Sequence, residues 1–163
     1  MASSYLQAPQ NFDLQQAAQR FLSGSIDALN ACYECCDRHA LPGQIALFWQ
    51  GKDGRKEQYT FRELQQRASQ FANFLKSQGV SKGDRISGLL PRTPELIITI
   101  LAAWRIGAVY QPLFTAFGPK AIEHRLQLAQ SKLVVTDVVN RFFLNGVGDC
   151  PALLSFPGRS SSD

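Results

Sequence analysis

Between residues 86 and 136 short apolar runs alternate with helical stretches, and this pattern narrows the possible folds more than any other feature of the chain. Residues 86–90 read as a strand. Thr93 and Pro94 follow as the cap and first position of a helix that runs through Ala103 and finishes near Gly107. Residues 109–114 form a second strand, where Pro112 has no amide hydrogen and so belongs at an edge or breaks its ladder. Pro119 opens another helix with Ile122, Leu126 and Ala129 buried, and residues 133–136 form a third strand. Strands alternating with helices favour a parallel sheet joined by right-handed crossovers.

Shorter elements precede this block. One amphipathic helix starts after Asp13, carries Leu14, Ala17, Ala18, Phe21 and Leu22 on one face, and ends at Gly24. A second follows Ser25, with Leu29, Cys32, Tyr33 and Cys36 at helical spacing, and stops by Pro42 and Gly43. Cys32 and Cys36 then face inward. Residues 45–49 and 58–61 flank Gly51, Lys52, Asp53 and Gly54, and Asp53-Gly54 supplies the positive backbone angles of a tight β-hairpin. Thr60 and Glu63 form a capping box for a helix whose buried stripe is Phe61, Leu64, Ala68, Phe71 and Leu75, closed by Gly79.

After Asp137 the periodicity stops, and residues 138–163 read as loop or disorder, the apolar pieces 142–144 and 152–154 being too short to argue otherwise. The expected class is therefore α/β: a partial parallel or mixed sheet with flanking helices, preceded by short helices and a β-hairpin. Three parts follow: residues 1–43, 44–137 and 138–163. A sheet of this kind seldom stops on a bare strand edge, so a truncated or frame-shifted product is expected. A bare edge also invites self-association.

Charge excludes some functions. Seventeen Lys plus Arg against thirteen Asp plus Glu give +4, and the basic residues are scattered from Arg20 to Arg159 without a patch, so no nucleic-acid partner is expected. Met1 to Gln10 contains neither a basic region nor an apolar run of the secretory type. The apolar stretch 96–104 stops at Arg105, short of the roughly 20 residues a bilayer requires. A cytoplasmic protein with no membrane span is the expectation, and reduced thiols at Cys32, Cys35, Cys36 and Cys150 fit it.

Cys32, Cys35, Cys36 and His39 resemble part of a metal site, yet no second ligand pair exists to complete a tetrahedron; packed thiols and a helix-end histidine are preferred, and no metal is expected. His124, between Glu123 and Arg125, reads as a surface residue, and no catalytic base can be named. Trp49 and Trp104 read as core aromatics. Arg92 and Thr93 lie at a strand end before a helix, where open α/β sheets often bind ligands, although capping alone would account for Thr93.

Four places between residues 31 and 137 carry a likeness to a known family. Asn30, Cys32, Tyr33, Asp37, Arg38 and His39 make the first, and Tyr59, Thr60, Phe61, Glu63 and Leu64 the second. Gly79, Val80, Gly83, Asp84 and Arg85 lead into the first core strand, and Pro94, Glu95, Ala102, Arg105, Ile106, Gly107, Ala108, Val109, Tyr110 and Pro112 are the most specific run. In kind and order these resemble the amino-terminal part of the adenylate-forming acyl-CoA synthetases, especially those acting on acetate and similar short acids.

The resemblance implies a ligase that uses ATP, Mg²⁺ and CoA. A carboxylate attacks the α-phosphate to give acyl-adenylate and diphosphate, and the CoA thiol then displaces AMP. Phe114, Thr115 and Ala116 stand where acetate-type members carry a Phe-Gly-Gly-Phe loop beside the CoA channel, so they either contact CoA or merely join strand to helix. Side chains on Thr115 and Ala116 occupy space that glycines would leave open. The family's Thr/Ser/Gly-rich phosphate loop ending in Pro-Lys-Gly has no counterpart here, and the sequence after Arg141 departs from the pattern. Residues 44–137 thus read as an incomplete synthetase domain that is not catalytic alone and binds the cofactors poorly. The alternative is a non-catalytic product that partners a full-length synthetase.

Overall fold

Asp13 starts the first element of the computed structural model, which describes residues 12–24 and 26–157. Met1 to Asn11, Ser25 and the tail from Gly158 onward lie outside the described residues. The Asp13 carboxylate accepts the amides of Gln15 and Gln16 at 2.8 and 3.2 Å and caps α1, Leu14–Phe21. Only Ala18 of its apolar face is buried, while Leu14 and Phe21 stand in solvent.

The single helix expected up to Pro42 is broken instead into a 3-10 turn, Ile26–Ala28, a short helix α2, Ala31–Cys35, and a second 3-10 turn, Asp37–His39. The break has a local cause. The Asn30 side chain accepts the Tyr33 amide at 3.1 Å, so it caps a new helix rather than continuing an old one. Cys32 and Cys36 nevertheless point inward and are buried.

Strands β1, Ile45–Gln50, and β2, Lys56–Thr60, form the hairpin, with an irregularity between Ile45 and Leu47. Of the Asp53-Gly54 pair only Gly54 takes a positive φ, 83°. Asp53 instead uses its carboxylate, which accepts the Arg55 amide at 3.1 Å. The capping box is formed as expected: Thr60 Oγ1 accepts the Glu63 amide at 3.1 Å and the Glu63 carboxylate accepts the Thr60 amide at 2.8 Å. That backbone bond holds the Glu63 carboxyl below its usual range. Helix α3, Phe61–Ser77, buries Leu64, Ala68, Ala72 and Leu75.

The main sheet contains β3, Arg85–Leu89; β4, Val109–Leu113; β5, Leu133–Asp137; and β6, Ala152–Phe156. Its order is β4-β3-β5-β6 and every pairing is parallel. Helix α4, Pro94–Arg105, joins β3 to β4, and α5, Pro119–Ala129, joins β4 to β5. Pro112 lies on edge strand β4, as its missing donor requires. Ala72 and Leu75 of α3 and Ala102 and Ala103 of α4 pack with Ile86 and Val135 on one face; Ile122 and Leu126 of α5 pack with Leu89 and Val134 on the other.

Residues 138–157 correct the expectation of loop or disorder. A 3-10 turn, Asn140–Leu144, leads to β6, which pairs with β5 from Leu133↔Ala152 to Asp137↔Phe156. Five residues are too few to display a period, and long-range pairing defines this strand. Among the described residues β5 is therefore an inner strand, with β6 beside it.

Candidate functional site

Beyond β4 the chain must cross to the far side of β3 to reach β5, so the connections diverge at the carboxyl ends of these two strands. Open α/β sheets bind ligands at such a point. A crevice of about 430 Å³ opens there, lined by Arg92 and Thr93 after β3, Asp137 at the end of β5 and Asn140 beyond it, Thr115 after β4, and the hairpin residues from Trp49 to Lys52.

Thr93 occupies the N-cap position of α4, but its side chain makes no capping hydrogen bond. Capping therefore does not explain it. Trp49 is not the core aromatic expected; it is half-buried, walls the crevice, and its indole Nε1–H donates to the Arg92 carbonyl at 2.9 Å. That bond fastens the hairpin to the loop after β3. Gly51 is pressed against the same ring, and a Cβ there would come within 2.9 Å of it and 2.6 Å of Asp53 Oδ1.

Across the opening, Asp137 Oδ1 accepts the Asn140 amide at 2.6 Å and the Asn140 side-chain amide at 2.9 Å, which fixes the turn leaving β5. An acidic residue at a strand end with asparagine three positions later is the sequence signal for such a turn. Of the three loop residues singled out from sequence, only Thr115 lines the crevice; Phe114 is exposed, edge-on to Phe117 at 5.7 Å, and Ala116 faces solvent. The wall mixes Lys52 and Arg92 with Glu95 and Asp137, so opposite charges meet around one cavity.

The other conspicuous cluster is sealed. Arg105 Nη2 donates to Asp37 Oδ1 at 2.5 Å, and Asn30 Nδ2 donates to the Arg105 carbonyl at 3.1 Å. Two of the four family-like stretches thus meet in one clasp at the carboxyl end of α4. Desolvation by burial pushes the Cys32 thiol up to about 12 and the Cys36 thiol to about 11. Both stay protonated near neutrality and are poor nucleophiles or metal ligands. His39 packs 5.4 Å from the Phe61 ring, and His124 is exposed. Among the described residues no group of three or more His, Cys, Asp or Glu could hold a metal ion. Trp104 packs against the cluster that contains Cys32 and Cys36.

Comparison with known proteins places these features in a class. The family model described as AMP-binding enzyme matches residues 34–155, most of the chain, and the chain belongs to that family. Within it, the relatives are acyl-CoA synthetases. The acetyl-coenzyme A synthetase of Halorhodospira halophila is 39% identical over 129 residues, covering 77% of this chain and 20% of that protein. The acetyl-coenzyme A synthetase of Psychromonas ingrahamii is 46% identical over 111 residues, covering 66% of this chain and 17% of that protein. The crystal structure of Brucella canis acyl-CoA synthetase superposes with a TM-score of 0.90 at 46% identity, over 98% of this chain and 29% of that one.

The chain thus spans less than a third of these relatives. Because the family match continues to residue 155 and the structural match covers 98% of the chain, the expected departure after Arg141 is corrected. No helix among the described residues is long and apolar enough to cross a membrane.

Proposed function

We propose that this chain is a scaffold portion of a cytoplasmic, ATP-dependent acyl-CoA ligase acting on acetate or a similarly short carboxylic acid, and that the 163 residues do not catalyse alone. The observation that supports this reading is the crevice at the divergence of β3 and β5, in a chain that carries the family's amino-terminal residues but no phosphate-gripping loop. In the complete ligase, the acid would attack the α-phosphate of ATP, assisted by Mg²⁺, and the CoA thiol would then release AMP.

This segment's share is placement. The loop carrying Phe114, Thr115 and Ala116 would border the CoA channel, with the Thr115 side chain narrowing it where glycine would not. Trp49, through the Arg92 carbonyl, would keep the opposite wall in position.

Acetate- and propionate-dependent exchange between ATP and diphosphate reads adenylation directly. The purified chain is expected to give none, and robust exchange would overturn the claim that it is inert alone. The ligase reading is tested separately by substituting this chain for the matching segment of the Psychromonas ingrahamii synthetase. A folded chimera should retain acetate-dependent exchange; a folded chimera without it refutes the assignment.

A further inference from the structure

We propose that Asn145 is a spontaneous modification site, at which the backbone nitrogen of Gly146 displaces the side-chain amide and leaves aspartate or isoaspartate behind. The inference does not depend on the ligase reading. Its reacting groups belong to consecutive residues, so no other segment or molecule except water has to supply anything. The Gly146 nitrogen gives up its proton and bonds to Asn145 Cγ, the Cγ–Nδ2 bond breaks, and ammonia leaves. Water then opens the five-membered imide at either carbonyl. Opening at Cγ restores the ordinary main chain with an aspartate side chain; opening at the backbone carbonyl reroutes the main chain through Cβ and Cγ as isoaspartate.

Asparagine is labile where its carboxamide is free and the following nitrogen is unshielded. The described asparagines separate on that basis. The Asn30 side chain donates to the Arg105 carbonyl and accepts the Tyr33 amide. Asn140 donates to both Asp137 carboxylate oxygens, at 2.9 and 3.1 Å. Asn73 lies inside α3, where the helix fixes the backbone. Each of the three precedes a residue with a side chain, respectively Ala31, Arg141 and Phe74, whereas Asn145 precedes glycine. Asn145 and Gly146 are exposed, and neither the carboxamide of the first nor the backbone amide of the second has a partner among the described residues.

The turn can also reach the reactive shape. Asn145 rests at φ −64° and ψ −22°, and rotation about ψ carries the Gly146 nitrogen up to Cγ. The hydrogen bond that spans this rotation runs from the Val147 amide to the Leu144 carbonyl at 3.2 Å. Asp53-Gly54 is the internal contrast. The Asp53 carboxylate accepts the Arg55 amide at 3.1 Å, which with the Arg55 guanidinium holds its carboxyl below the usual range. An ionised carboxylate offers no leaving group, so this second pair stays as it is.

The product has a structural consequence. Leu144 is buried and Val147 half-buried in the cluster that also holds Leu89, Ile122 and Leu126, with Asn145 and Gly146 bridging them. Isoaspartate lengthens the main chain by one carbon within that bridge. The turn has to shed one of its two anchors, and it is the turn that delivers the chain to β6.

Ageing the purified chain at physiological temperature and pH, followed by tryptic mass mapping and labelling with protein isoaspartate methyltransferase, tests the proposal. The peptide 142–159 contains Asn145 as its one asparagine. It should exchange its side-chain amide for a carboxyl and accept the label, ahead of the peptides holding Asn30, Asn73 and Asn140. An unchanged Asn145, or conversion of the other three at the same rate, would overturn the inference. Gly146→Ala shields the nitrogen and should slow conversion about tenfold. Because the added Cβ would lie 3.3 Å from Pro119 Cβ, Asn145→Gln serves as the second variant: it leaves the glycine in place and must lose the label. The isoaspartate fraction should melt below the fresh chain, while Asn145→Asp, which carries the charge without the extra carbon, should melt with it; equal melting of all three refutes the claim that the bridge is too short to absorb the change.

Discussion

The two ends of helix α4 carry an arginine each, and the protein uses them in opposite ways. At the carboxyl end Arg105 is half-buried against Asp37, with Asn30 holding its carbonyl and two protonated thiols packed beside it. At the amino end Arg92 lies in the open, its carbonyl held by Trp49, beside a Thr93 hydroxyl that does no capping. Both ends display family-like residues, yet of the two it is the amino end that lines the crevice. A family motif in this chain is therefore as readily a structural clasp as a ligand contact, and burial and pairing separate the two.

Alkaline pH should strike the closed end hardest. Cys32 and Cys36 ionise near 9.0 when unfolded but only at about 12 and 11 in the folded chain, so above pH 9 the unfolded state loses protons that the folded state keeps. Their contribution to stability is intact below pH 9 and falls as pH rises toward those folded values. The melting temperature should drop across this window, and a Cys32→Ala, Cys36→Ala variant should lose its stability less steeply there.

Breaking the clasp directly comes next in size. Asp37→Ala leaves Arg105 half-buried without its partner and should cost about 3 kcal/mol by urea unfolding. At the open end the corresponding losses are smaller. Trp49→Phe keeps an aromatic, though smaller, ring and removes the hydrogen bond to the Arg92 carbonyl, for about 1 kcal/mol. The caps give the finest contrast: Thr60→Ala, which dismantles a complete capping box, should cost about 1 kcal/mol, whereas Thr93→Ala should cost under about 0.5 kcal/mol. A large loss at Thr93 would erase the distinction between the two ends.

The elements with strong local instructions were readable in advance. Pro94 and Pro119 at helix starts, Pro112 on an edge, and the Thr60–Glu63 box act over a few residues, and the structure places each accordingly. Where a local preference competed with periodicity, reading by period went astray: Asn30 caps a fresh helix inside an apparently continuous one. β6 left no period because its partner lies some twenty residues back, and nothing in Ala152 to Phe156 announces that pairing. The crevice was half legible. Arg92 and Thr93 came from a strand end and Thr115 from the family resemblance, but Trp49 reaches Arg92 through a bond across 43 positions, a relation that spacing does not encode.

The clasp also implies an order of events at the ribosome. Asp37 and Arg105 are 68 positions apart, and Asn30 and Arg105 are 75 apart. Until the later segment has left the exit tunnel, the first has nothing to close upon, and Cys32 and Cys36 remain open to any thiol reagent. Pulsed alkylation of nascent chains stalled at increasing lengths would therefore serve as a clock, with those two sulfurs falling silent only when α4 arrives to shut them in.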